Sequence, residues 1–216
     1  MMIKAILFDL DGVIVDSLYY HYLAWEKMFN DRGGSISLQS VYLHEGRNSF
    51  EILPLFCKEA GVDIPKEEHT DFIEAKRAYY REIAQLKYYP NAFETIAELK
   101  ARGFKLALVT ASARKNMEKS VNPERQKLFD VIVTGTDIPR AKPNPDPYLT
   151  AQRMLDVRPE ECVVIENAPL GVESAKNAEM ICVGVESTLG REYLQQADFI
   201  INEISELIGF FPVLRR

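Results

Sequence analysis

Two aspartates, Asp9 and Asp11, stand two residues apart in AILFDLDG, an apolar stretch near the start of the chain. In an extended segment, residues i and i+2 point to the same side, so both carboxylates share one face. Neighbouring carboxylates repel each other, and burying either without a partner is costly. The pair therefore indicates either an exposed turn or a cation-binding site. A calcium-binding EF-hand loop is excluded, because its required glycine falls on Ile14 and its twelfth-position glutamate on Tyr20.

Polar side chains also follow other apolar runs. Thr110 and Ser112 come at the end of FKLALVT, where their hydroxyls could donate to an anion. Lys142 stands before a proline, in a run that we expect to be stiff and extended. Glu166 and Asn167 end ECVVIEN and offer oxygen ligands suited to Mg²⁺. Because ligands of open α/β sheets bind at the carboxyl ends of the strands, we expect these groups to converge on the two aspartates.

The elements that must position these residues alternate between short apolar runs and helical patterns. Near-continuous apolar runs are typical of parallel strands that are covered on both faces. The runs occupy 3–9, 104–110, 130–135, 161–167, 180–186 and 198–202, with helical patterns at 91–103, 144–155 and 170–178. This alternation predicts an α/β fold with a doubly wound, mainly parallel sheet.

A long stretch without a strand pattern separates the first two runs. It is far longer than an ordinary crossover, and it carries helical patterns at 17–34, 48–61 and 65–86. We predict that residues 15–85, called the cap below, form an inserted helical domain. The core domain would then consist of residues 1–14 and 86–216.

Composition limits the function classes. The formal net charge of −6 argues against a nucleic-acid partner, and no apolar window is long enough to span a membrane. Cys57, Cys162 and Cys182 are too few and too scattered for a disulfide framework or a zinc site. With no secretory signal recognised in the sequence, we expect a cytoplasmic protein. We also expect a monomer or a weak dimer.

Four motifs resemble those of the haloacid dehalogenase-like superfamily in order and spacing: FDLDGVIVDS, VTAS, AKPNPDPY and VIENAPLGVESAKNAEM. The resemblance covers essentially the whole chain and is closest to the β-phosphoglucomutase-like phosphatases, which have a helical cap. It implies a Rossmann-like core and an enzyme that acts on a small phosphorylated substrate.

The resemblance also implies catalytic roles. Asp9 would be the nucleophile and form an aspartyl-phosphate, and Asp11 would act as the general acid and base. Asp11 separates the phosphotransfer branch from the dehalogenases, which lack an acid at that position. Thr110 would hydrogen-bond a phosphoryl oxygen, and Lys142 would keep Asp9 ionised.

The implied cofactor is Mg²⁺. Its ligands would be Asp9, the main-chain carbonyl of Asp11, Glu166 and Asn167. The family usually has an aspartate where this chain has Asn167, so the site lacks one formal negative charge. Glu45, in the cap sequence LHEGRNS, is a candidate for the missing carboxylate, although it could equally be a surface charge.

Three further cap residues are candidate substrate contacts. Gly46 resembles the glycine of the family's cap loop that reaches the active site. Arg47 could meet a second anionic group or could simply be solvated. His21 lies in YYHYLAWE, which resembles the mutase-like proteins, but packing among the aromatic residues around it explains its position equally well. Ser112 is the candidate contact from the core.

The sequence favours a Mg²⁺-dependent phosphohydrolase that acts on a small phosphorylated metabolite. An inorganic pyrophosphatase remains open, because a cap carboxylate at Glu45 would suit a compact, highly charged substrate. A β-phosphoglucomutase-like mutase also remains open, although the cap loop supplies only Arg47 for a second phosphate. A non-catalytic phospho-receiver is a remote alternative, because receivers have no inserted cap.

Overall fold

Six short strands form a single parallel sheet in the computed structural model, which describes residues 2–214. The strands are β1 Ala5–Asp9, β2 Lys105–Val109, β3 Val131–Val133, β4 Cys162–Glu166, β5 Ile181–Val185 and β6 Phe199–Ile201. Their order across the sheet is β3-β2-β1-β4-β5-β6, with every neighbouring pair parallel. Each strand lies within a predicted run. The predicted α/β fold is confirmed.

The helices extend the predicted set. Their bounds are α1 Leu18–Asn30, α2 Leu38–Leu43, α3 Ser49–Ala60, α4 His69–Ile83, α5 Ala92–Ala101, α6 Arg114–Ser120, α7 Pro123–Gln126, α8 Asp146–Leu155, α9 Pro169–Asn177 and α10 Leu207–Leu214. The sequence patterns did not predict α2, α6, α7 and α10. These four helices have four to eight residues, too few for an apolar repeat to stand out.

Two apolar clusters cover the two faces of the sheet. Alternate residues of β1 point to opposite faces, so Ile6 and Phe8 join one cluster whereas Ala5 and Leu7 join the other. Helices α5 and α10 contribute to the first cluster, and α8 and α9 contribute to the second. Burial on both faces explains why the strands read as near-continuous apolar runs.

Helices α1 to α4 lie between β1 and β2 in the chain and have an apolar cluster of their own. Trp25, Phe29, Phe56 and Phe72 form its centre, with ring centroids 5.4–6.4 Å apart. The division into a cap of residues 15–85 and a core of residues 1–14 and 86–216 stays a prediction, and residues 1, 215 and 216 lie outside the described part of the chain. We propose that the cap moves as a unit.

The two chain segments that join the cap to the core are paired with each other. The amide of Asp16 donates to the carbonyl of Lys87, and the amide of Tyr89 donates to the carbonyl of Ile14, each at 3.0 Å. An antiparallel bridge joins Val15 to Tyr88 between these bonds. The two connections thus form a short ribbon, called the hinge ribbon below.

Among the helices within residues 2–214, none has both the length and the apolar character that a membrane crossing requires.

Candidate active site

The carboxyl ends of β1, β2 and β4 meet at the point where the strand order reverses, and this is where open α/β sheets bind ligands. Asp9 is the last residue of β1, Thr110 follows β2, and Glu166 is the last residue of β4. Asp11 and Asn167 come just beyond. All five side chains are buried. The structure therefore brings the motif residues of three separate strands together.

Lys142 joins the ends of β1 and β4. Its ammonium group is buried and donates hydrogen bonds to Oδ1 of Asp9 and, at 2.5 Å, to Oε1 of Glu166. Burial alone lowers the pKa of Lys142, but the two carboxylates raise it more, and the pKa lies well above its usual range. Lys142 is therefore a permanent positive charge beside Asp9.

The segment around Lys142 is not the extended run that the sequence predicted. The Lys142–Pro143 peptide bond is cis, and the amide of Asn144 donates to the carbonyl of Ala141 at 3.1 Å. The hydrogen bond between Asn144 and Ala141 closes a tight turn that contains Lys142.

Glu166 receives hydrogen bonds from four donors. Its Oε1 accepts from Lys142 and from the hydroxyl of Tyr148 at 2.7 Å, and its Oε2 accepts from the amides of Asn167 and Ala168 at 2.8 and 3.1 Å. A side chain at Gly171 would place Cβ 1.8 Å from Oε1, so helix α9 can pack this closely only with glycine there. These contacts make Glu166 the fixed anchor of Lys142. Its predicted role as a metal ligand stays a prediction.

Asp11 is held by three hydroxyl groups. Ser17 donates to Oδ1 at 2.5 Å, and Thr110 and Ser112 donate to Oδ2 at 3.3 and 3.2 Å. Thr110 and Ser112 thus bond the carboxylate of Asp11 in this arrangement. Their predicted contacts with a substrate anion stay predictions.

The cap loop reaches the strand ends. One oxygen each of Glu45, Asp9 and Glu166 lie within 4.8 Å of one another. Gly46 has φ +94°, and a Cβ there would lie 2.8 Å from Cδ of Lys142, so only glycine lets the loop pack this closely on the lysine. The sequence left open whether Glu45 was a surface charge. The structure places it beside Asp9.

The charges of this cluster do not balance. Within residues 2–214, three buried oxygens accept no hydrogen bond, two in this cluster and one on the residue after β4: Oδ2 of Asp9, Oε2 of Glu45 and Oδ1 of Asn167. Burial raises the pKa of both Asp9 and Glu45, and neighbouring carboxylates add to the effect, whereas Lys142 opposes it. Buried acceptors without donors are costly, and oxygen-only ligand sets bind Mg²⁺. The residues present therefore fit a small divalent cation.

A cavity of about 130 Å³ lies between the cap and the strand ends. Asp11 and Ser112 line it from the core side and Glu45 from the cap loop, whereas Asp9 is buried and is not among the lining residues. Predicted residues of the cap wall are His21, Gly46 and Arg47. The Nε atom of Arg47 is buried and, in the described part of the chain, has no hydrogen-bond partner.

The sequence did not predict the role of Lys76 in this wall. The side chain is buried, and its Nζ lies 2.8 Å from Nδ1 of His21, whose ring stacks on Tyr80 at 4.0 Å. Burial, with the charge of Arg77 adding to it, lowers the pKa of Lys76 to about 7. Burial and then Lys76 also lower the pKa of His21. The signal in the sequence was a lysine three residues after the core residue Ile73, on the apolar face of α4.

This arrangement suits nucleophilic chemistry on an anion. Asp9 has one oxygen bound to Lys142 and the other without a donor, and a second carboxylate, Asp11, lies on the same side of the chain. Arg47 offers positive charge from the cap side, and Lys76 adds a second charge only below its pKa of about 7. An electrophile that carries negative charge would be attracted by Arg47 and could react with Asp9 once it reaches the strand ends.

Comparison with known proteins points to one family. A family model described as haloacid dehalogenase-like hydrolase matches residues 6–185. Validoxylamine A 7'-phosphate phosphatase from Streptomyces hygroscopicus is 30% identical over 95% of this chain and 96% of its own. Pyrophosphatase PpaX from Bacillus mycoides is 29% identical over 100% and 99%. The crystal structure of β-phosphoglucomutase from Clostridium difficile superposes with a TM-score of 0.85 at 28% identity, covering 99% of this chain and 97% of that one.

Proposed function

Since the chain belongs to the haloacid dehalogenase-like hydrolase family and is an enzyme of its phosphatase type, we propose that it is a Mg²⁺-dependent phosphohydrolase. Its substrate would be a small phosphorylated metabolite, and the reaction would pass through an aspartyl-phosphate. The observation that carries this proposal is the state of Asp9, buried at a strand end with Oδ1 on Lys142 and Oδ2 without a donor.

In the first half-reaction, Oδ2 of Asp9 attacks phosphorus and forms a new P–O bond. The bond between phosphorus and the leaving oxygen breaks, and Asp11 gives that oxygen a proton. In the second half-reaction, Asp11 takes a proton from water as the water oxygen attacks phosphorus. The bond to Asp9 then breaks and phosphate is released. The charge of Lys142 opposes the rise in the pKa of Asp9 that burial causes, and it would offset charge on the phosphoryl oxygens.

The residues that would hold Mg²⁺ are Asp9, Glu45 and Asn167, and the last two offer buried oxygens that lack donors. The main-chain carbonyl of Asp11 and the carboxylate of Glu166 complete the proposed set. When bound, the cation reduces repulsion between an anionic nucleophile and an anionic substrate.

Substrate size and entry follow from the cap. The cavity of about 130 Å³ is small beside the roughly 300–1,000 Å³ of pockets for drug-sized ligands. It suits a small substrate, and a cap that closed further over it would exclude bulk water until the aspartyl-phosphate has formed. Because Asp9 is buried and does not line the cavity, we infer that the cap opens to admit the phosphoryl group.

Inorganic pyrophosphatase activity is the second candidate, and the position of Glu45 favours it. A cap carboxylate beside Asp9 and Glu166 adds negative charge to the cation site on closure. Such a site could hold the cations that accompany a compact polyanion. The relative named pyrophosphatase PpaX supports this candidate at the level of the family.

The test is a substrate panel assayed for phosphate release with and without Mg²⁺. It contains small phosphate monoesters, pyrophosphate, and glucose 1-phosphate with a bisphosphate activator. Asp9→Asn is the matched control for contaminating activity. Mg²⁺-dependent release from a monoester supports the first candidate, and release from pyrophosphate alone supports the second. Formation of glucose 6-phosphate would overturn both in favour of a mutase.

A further inference from the structure

The amide of Asn167 is wedged between two other loops. On one side it packs against Gly12, where a Cβ would lie 2.1 Å from Nδ2, so glycine leaves room for the amide. On the other side, Nδ2 donates to the hydroxyl oxygen of Thr188 at 3.0 Å. The remaining polar atom, Oδ1, is buried and, among the described residues, has no donor. The amide therefore has one bonded end and one end left for a ligand.

Thr188 belongs to a two-residue segment after β5 that contacts the segments following β1 and β4. Ser187 donates from its hydroxyl to the carbonyl of Gly12, directly after the two motif aspartates. Thr188 accepts from the residue that follows β4. This segment thus fixes the loop after β1 and the side chain after β4 relative to each other. No family motif in the sequence marks it.

We infer that Thr188 is a positioning residue that keeps the carbonyl oxygen of Asn167, rather than its NH₂ group, directed to the cation site. An amide has a donor end and an acceptor end, and only the acceptor end can bind a cation. Turned over, the amide would present its NH₂ group to the carboxylates there, and the cation would lose a ligand. The hydroxyl of Thr188 opposes this by accepting the NH₂ group. This inference rests on the proposed Mg²⁺ dependence.

The inference explains why orientation matters in this chain in particular. An aspartate at position 167 would have two equivalent oxygens and would offer an acceptor whichever way it turned. With Asn167, half of the possible orientations are unproductive. The dependence on Thr188 should therefore vanish when Asn167 becomes an aspartate, and a residue that merely supported the fold would show no such dependence.

The experiment measures Mg²⁺ binding directly, by isothermal titration calorimetry without substrate. The full chain is compared with Thr188→Val, Thr188→Ser, Asn167→Asp and the Thr188→Val/Asn167→Asp double variant. Valine keeps the shape of threonine and removes the hydroxyl, whereas serine keeps the hydroxyl. We expect Thr188→Val to weaken Mg²⁺ binding about 10-fold, the lower end of what loss of such an orienting contact costs. Thr188→Ser should retain the parent's affinity, and Thr188→Val should have little effect in the Asn167→Asp background.

Two outcomes overturn the inference alone, namely an unchanged affinity in Thr188→Val, or an equal loss in both backgrounds. If the parent itself binds no Mg²⁺, the inference falls together with the Mg²⁺ dependence of the proposed function. The fluorescence of Trp25, the single tryptophan, and the far-UV circular dichroism spectrum check that each variant is folded. Should Thr188→Val fail this check, Thr188→Ala takes its place, with Thr188→Ser still required to restore binding.

Discussion

Lys76 makes the stability of this protein depend on pH. Its pKa is about 7 in the folded chain, against 10.5 for an unperturbed lysine, chiefly because burial penalises the charged form. Between these two values the unfolded chain binds a proton that the folded chain does not. The free energy of unfolding must therefore rise with pH across this range. This gain in the free energy of unfolding is complete above the pKa of Lys76 in the unfolded chain, and it is lost as the pH falls to the pKa of Lys76 in the folded chain.

The magnitude follows from the linkage relation. Each pH unit within the range contributes about 1.36 kcal/mol, so the gain between about pH 7 and about pH 9 is at most about 2.7 kcal/mol. Lys76→Met removes the titrating group and keeps most of the buried chain length. The parent should therefore gain about 2 kcal/mol relative to this variant between about pH 7 and about pH 9. His21 does not disturb the comparison, because burial holds its pKa well below 6.5.

The assay is urea unfolding, followed by the fluorescence of Trp25, over which the ammonium of Lys76 lies at 5.0 Å from the ring centroid. Trp25 lies in the cap, so its signal reports on the helices that enclose Lys76. Lys66→Met, at an exposed cap position, is the control and should change little at any pH. A difference between parent and Lys76→Met that stays flat across this range would refute the reasoning.

Three further changes test the site. Asp9→Asn should abolish turnover while Trp25 fluorescence stays unchanged, because the amide keeps the shape and loses the nucleophile; appreciable steady-state turnover would contradict this. Glu45→Gln should raise the Mg²⁺ concentration at half-maximal rate, and Glu67→Gln, on the exposed cap surface, should not; equal midpoints in a Mg²⁺ titration would mean that Glu45 is not a ligand. Lys142→Met should lower the free energy of unfolding in urea by about 3 kcal/mol, because it leaves the buried carboxylates of Asp9 and Glu166 without their counter-charge. A variant as stable as the parent would show that these carboxylates are neutral.

The sequence alone was sufficient to predict the fold class and the polar residues at the strand ends. Buried parallel strands are continuous apolar runs in the sequence. A polar residue at the C-terminal end of such a run therefore lies at the carboxyl edge of the sheet, where ligands bind. Asp9 and Glu166 were predictable for that reason. The order of their motifs along the chain then indicated the family.

Contacts that depend on tertiary approach could not be predicted in this way. Tyr148 reaches Glu166 from a helix whose sequence shows only an apolar repeat. Glu45 and Thr188 lie in loops, where no repeat relates a residue to the strand ends. The buried lysine of α4 looked like any charged residue of an amphipathic helix. Its burial follows from how the helices of the cap pack against one another.

The hinge ribbon limits the ways in which the cap can move. Two independent tethers would let the cap rotate about several axes and settle in many orientations. Backbone hydrogen bonds join Asp16 to Lys87 and Tyr89 to Ile14, so the two connections are held together as one hinge ribbon. Bending of this ribbon would keep both hydrogen bonds, whereas independent movement of the two connections would break them. In the cap movement proposed above, each closure would then follow nearly the same path. The loop that carries Glu45 would return to the same position beside Asp9 each time the cap closes.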